Sequence, residues 1–115
     1  YGSLMSGLPY HQQLEGARRI AQGLTLPDFH MFDLGHYPGV ILGGDTPIQG
    51  EVYRVTDSML SRLDAFEGVP TLYHRHRITL TTGMSVQLYV LTSTPERPDV
   101  RRIPSGDWRS WSSAR

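Results

Sequence analysis

Residues 48–55 carry the clearest alternation in the chain. Ile48, Gly50, Val52 and Val55 stand against Gln49, Glu51 and Arg54. A period of two puts alternate side chains on opposite faces, so this segment is predicted to be a strand. The pattern then changes period. Met59, Leu60, Leu63 and Phe66 fall on one face of a helix. Asp57 is the expected cap of that helix, and Gly68 is its stop. Residues 75–81 and 84–91 read as two further strands, with Thr82-Gly83 as a tight hairpin turn.

The first half is less regular. Leu8, His11, Gln12, Leu14 and Glu15 allow a short helix ending at Gly16, and residues 17–26 look extended up to a Pro27-Asp28 turn. Residues 29–34 are a predicted strand. Gly35-His36-Tyr37-Pro38-Gly39 is a turn, and Val40, Ile41 and Leu42 are a short apolar segment before Gly43-Gly44-Asp45 breaks the chain. From Thr94 onward Pro, Arg and Asp dominate. Residues 94–115 are expected to be an irregular tail anchored by Ile103, Trp108 and Trp111. About five strands that do not alternate regularly with helices predict an α+β fold, a small mixed β-barrel with flanking helices.

Composition narrows the function. A chain of 115 residues with 38% hydrophobic and 19% charged residues fits one packed domain rather than a disordered segment. A formal net charge of +0 argues against a nucleic-acid partner, which needs a basic excess. All 11 cations are arginine, so a Schiff-base lysine is excluded. With 0 cysteines there is no thiolate nucleophile, disulfide or zinc-thiolate site. No apolar run approaches the ~20 residues of a membrane span, so no membrane partner is expected, and a reducing cytoplasm is the expected location.

Two short motifs carry candidate chemistry. Glu67 closes Leu63-Asp64-Ala65-Phe66-Glu67 before Gly68. A carboxylate there meets the negative end of the helix dipole. Burial near Phe66 and Leu72 would add to this, and both effects raise its pKa toward values useful for proton transfer near neutrality. Asp64, one turn earlier, is expected to be solvated. Position alone favours Glu67 as an ordinary surface residue at a helix end, which is the commoner outcome. The second motif, Tyr1-Gly2-Ser3-Leu4, offers a glycine for close backbone approach, a hydroxyl, and successive N–H groups able to form an anion nest. Read alone it also suits a plain turn. His74 and His76 share a strand face, but no third ligand is evident, so no metal site is expected.

Taken in order, four landmarks resemble the gamma-glutamylcyclotransferase-like superfamily, which includes AIG2-like and butirosin-biosynthesis cyclotransferase proteins. They are Tyr1-Gly2-Ser3-Leu4, Leu34-Gly35-His36-Tyr37-Pro38-Gly39, Gly50-Glu51-Val52-Tyr53, and Leu63-Asp64-Ala65-Phe66-Glu67-Gly68 followed by Tyr73 and Arg75. Ser105-Gly106-Asp107-Trp108 is similar to bacterial members. The resemblance implies a small mixed β-barrel that releases 5-oxoproline from a gamma-glutamyl amine or amide. It implies Glu67 as the catalytic acid/base, and Tyr1, Gly2, Ser3, Leu4 and Tyr73 as substrate-binding residues. No cofactor is implied.

In that family the Tyr-Gly-Ser-Leu loop follows a short apolar inner strand. Here Tyr1 is the first residue, so the single domain over 1–115 is expected to lack its first strand. A non-catalytic small-molecule-binding or interaction module on the same fold is the alternative function.

Overall fold

A computed structural model describes residues 1–114. After a 3-10 turn at His11–Leu14, the elements are β1 (Arg18–Leu24), β2 (Phe29–Asp33), β3 (Pro38–Leu42), β4 (Gln49–Arg54), α1 (Asp57–Glu67), β5 (Tyr73–Thr79), β6 (Ser85–Leu91), β7 (Arg101–Arg102) and α2 (Trp108–Ala114). The class is mixed α+β, as the sequence pattern predicts. Among the described residues the strands form three antiparallel ladders: β1 with β4, β3-β2-β7, and β5 with β6. Hydrogen bonding does not join the ladders into one closed sheet. A single Thr25–Leu80 bridge links the first ladder to the third.

The alternating segment becomes β4, paired with β1 from Arg18 opposite Arg54 to Leu24 opposite Gln49, with a register shift between Arg19 and Ala21. Its alternation does not give one buried and one exposed face, because both sides are covered. Gly50 lies against Tyr1, while Glu51 and Tyr53 lie under Ser6 and His11. The predicted hairpin is β5–β6, paired from Tyr73 opposite Leu91 to Thr79 opposite Ser85.

Several local expectations are corrected. The helix cap is Thr56 rather than Asp57, and the Thr56 side chain accepts from the Met59 N–H. Asp57 instead occupies the first turn, where an acid favours the positive end of the dipole. The short helix expected over residues 8–15 is reduced to a 3-10 turn, with Gly16 at φ 89 after it.

The tail over 94–115 is not wholly irregular. It contains β7 and α2, which Asp107 begins by accepting from Ser110. Arg115 lies outside the described residues. Ile103 and Trp108 join Met5, Phe29, Met31, Val40, Ile48 and Val90 in the core, with Trp111 packed on its edge. The tail thus fixes the wall behind residues 1–8.

Candidate active site

Helix α1 ends where Gly68 turns left-handed at φ 73 and its N–H caps the carbonyls of Ala65 and Asp64. That stop needs a residue without a Cβ penalty. It leaves Glu67 on the last turn, partly buried and facing a cavity of about 770 Å³. Tyr1, Gly2, Ser3, Leu4, Glu67 and Tyr73 all line this one cavity. The structure therefore brings together every residue the sequence singled out for the site.

Glu67 forms no hydrogen bond or ion pair among the described residues. Burial pushes its carboxyl up to about 7, against the smaller opposing effect of the Tyr1 amine. Desolvation raises it because burial disfavours the ionised form. An unpartnered carboxyl that titrates near neutrality can both take and give a proton.

The loop is held by its carbonyls. Met5 N–H donates to the Gly2 carbonyl at 3.1 Å, and Tyr10 N–H donates to the Ser3 carbonyl at 3.0 Å. The N–H groups of Gly2, Ser3 and Leu4 have no protein acceptor among the described residues. Ser3 is buried, and its hydroxyl is likewise without a protein partner. Gly2 is required by packing: a Cβ there would sit 2.9 Å from Pro38 Cδ and Cγ. The Tyr1 hydroxyl donates to the Tyr89 carbonyl at 2.7 Å and so pins the loop to β6.

Two further tyrosines face the same space. The Tyr73 hydroxyl donates to the Pro38 carbonyl at 2.8 Å, and burial, together with Glu67, pushes its pKa upward. It stays neutral, with its oxygen lone pairs unused by any described group. The Tyr89 hydroxyl donates to Asp64 at 2.8 Å, and Arg75 pairs with the same Asp64 oxygen at 3.1 Å. Asp64 is therefore engaged in an ion pair and hydrogen bond rather than solvated.

The sequence reading also missed Glu51. Its side chain is 5% exposed yet ionised. Burial alone would raise its pKa, but the Ser6 N–H and hydroxyl, the Tyr53 hydroxyl and Arg19 hold it at about 2. The available signal was an acid in a predicted strand, between Gly50 and Val52. No group of three or more His, Asp or Glu side chains suited to a metal occurs among the described residues. The His74 and His76 rings lie 6.4 Å apart, edge to face.

The sequence signature described as gamma-glutamyl cyclotransferase, AIG2-like, matches residues 1–110. The chain belongs to that family. It is 33% identical to the gamma-glutamylcyclotransferase family protein YtfP of Escherichia coli K12, over 94% of this chain and 91% of the relative. It is 29% identical to the gamma-glutamylaminecyclotransferase of Rattus norvegicus, over 90% of this chain and 82% of that one. The crystal structure of an AIG2-like protein from Mus musculus superposes with a TM-score of 0.69 at 30% identity, covering 86% of this chain and 77% of that one. As a member of the gamma-glutamyl cyclotransferase, AIG2-like family, the chain is a cyclotransferase-like enzyme. No helix among the described residues is long and apolar enough to cross a membrane.

Proposed function

We propose that this enzyme releases 5-oxoproline from a gamma-glutamyl amine or amide in the cytoplasm, with Glu67 as general acid/base. The observation that carries the reading is the unpartnered Glu67 carboxyl, titrating near 7 in the cavity that the 1–4 loop also lines. The substrate's α-amine attacks its own γ-carbonyl carbon. A new C–N bond closes a five-membered ring, and the bond to the leaving amine breaks. Ionised Glu67 takes a proton from the attacking nitrogen and returns it to the departing nitrogen, so one carboxyl serves both steps. The unpaired N–H groups of Gly2, Ser3 and Leu4 hold the glutamyl group and meet the developing oxyanion. The Tyr73 oxygen accepts from the attacking amine and helps aim it. Because attack is intramolecular, positioning supplies much of the rate, and the chemistry calls for no metal or organic cofactor.

The test is Glu67→Gln. Gln keeps the shape but accepts no proton at neutral pH. Release of 5-oxoproline is expected to fall at least ~100-fold, the usual scale for a lost acid/base group. Retention of turnover by the Gln variant would remove Glu67 from the chemistry.

A further inference from the structure

Glu51 is a buried charge for which the proton-transfer scheme has no use. It lines the cavity, and five groups converge on its two oxygens. Oε1 accepts from the Ser6 N–H at 2.7 Å and from the Tyr53 hydroxyl at 2.9 Å. Oε2 accepts from the Ser6 hydroxyl at 2.7 Å and lies 3.4 Å from Arg19 and 3.3 Å from Arg109. An acceptor so fully occupied cannot serve as a base. Its ligands instead come from four places: the segment after the 1–4 loop, β1, its own strand β4, and α2.

Arg109 completes the link. One of its nitrogens donates to the Ser6 carbonyl at 2.8 Å while the other reaches Glu51. Ser6 is therefore held at its N–H, its hydroxyl and its carbonyl. It stands two residues beyond Leu4, directly after the turn that Met5 N–H closes on Gly2. Fixing Ser6 fixes the direction in which the free N–H groups of Gly2, Ser3 and Leu4 point.

We propose that Glu51 is the positioning residue for the substrate loop, acting through Ser6, and that Arg109 makes α2 part of the same clamp. The effect on catalysis rests on the loop binding the glutamyl group, as argued above. The clamp itself does not depend on that reading. Glu51→Gln would place an amide NH2 against either the Ser6 N–H or the two guanidinium groups, so at least one of the five interactions must break, and both arginines lose their counter-charge. Reorientation of a binding loop by ~1 Å can weaken transition-state fit up to ~100-fold.

Two measurements on Glu51→Gln, Arg109→Gln and the double variant separate the claims. Amide hydrogen exchange over residues 2–8, without substrate, reports the clamp. Exchange is expected to quicken about 10-fold in Glu51→Gln and less in Arg109→Gln, because local opening sets the rate. Steady-state kinetics with a gamma-glutamyl amine should show KM raised about 10-fold, with the acid limb from Glu67 unmoved, since only positioning has changed. The double variant should resemble Glu51→Gln alone, because both residues act through one network.

Unchanged loop exchange in either folded single variant would overturn the clamp. Faster exchange with unchanged KM would overturn its role in substrate binding. If Glu51→Gln does not fold, the half-exposed Arg109 carries the same two readouts. A wild-type enzyme without turnover would count against the functional reading, while the exchange result would still decide the clamp.

Discussion

At the scale of single residues, two carboxylates share one cavity yet sit at opposite ends of the titration range. Glu51 is saturated with donors and held at about 2. Glu67 has none and is pushed by burial up to about 7. The difference has a consequence for stability that needs no substrate. Glu67 titrates near 4.5 when the chain is unfolded, so its folded-state value is raised. Its contribution is fully present below about 4.5 and is lost as pH rises through about 7, because unfolding then releases a carboxylate that prefers water.

Thermal melts of the wild type should therefore fall between pH 5 and pH 8 by an amount that Glu67→Gln removes. Up to about 3 kcal/mol is at stake. Glu51 acts in a separate window, since its depressed value yields stability that is lost only as pH drops from about 4.5 toward 2. A difference of equal size in the wild type and the Gln variant would show that Glu67 is not desolvated.

At the scale of elements, α1 links sequence to site most directly. Thr56 starts it, Gly68 stops it, and Glu67 is placed by that stop. Thr56→Ala removes the acceptor for Met59 N–H and should cost about 1 kcal/mol in denaturant melts, with little change in turnover because the C-terminal end is untouched. An undiminished midpoint would show that the cap contributes nothing.

The same helix shows what was legible beforehand. Periodicity gave its extent, and the glycine gave its end. The choice between Thr56 and Asp57 was not legible, because both residues can cap and only backbone geometry decides. Glu67 and the loop were found because motif order placed them together. Asp64 was misread because its partners, Tyr89 and Arg75, come from a hairpin more than ten residues away in the chain. Glu51 was passed over for a related reason. Its shell depends on Ser6, Arg19 and Arg109, which no local pattern connects. The tail's helix was hidden by Pro, Ser and Gly residues, and it forms because Trp108 and Trp111 can pack against the core.

At the scale of the whole molecule, two ladders meet around Tyr1. Both β1–β4 and β5–β6 line the cavity, and within the ladders β4 and β6 each have a paired neighbour on one edge only. Tyr1 touches both: a Cβ on Gly50 of β4 would lie 3.2 Å from its Cα, and its hydroxyl bonds the Tyr89 carbonyl of β6. Ile78, Leu88 and Val52 face the same space. Unpaired strand edges beside an apolar cavity are poorly satisfied in a monomer.

A short apolar segment joined ahead of Tyr1 is therefore expected to enter as a strand, pair with β4 and β6, and bury its side chains. It should raise the melting temperature by several degrees, since ~1 kcal/mol shifts a domain of this size by about 4–8 °C. A Gly/Ser segment of equal length serves as the control, because it supplies pairing groups without burial and loses more chain entropy. Amide exchange along β4 and β6 should slow with the apolar segment alone. If both extensions melt with the unextended chain, the two ladders are already closed by their side chains, and the expectation of an inner strand ahead of the loop fails.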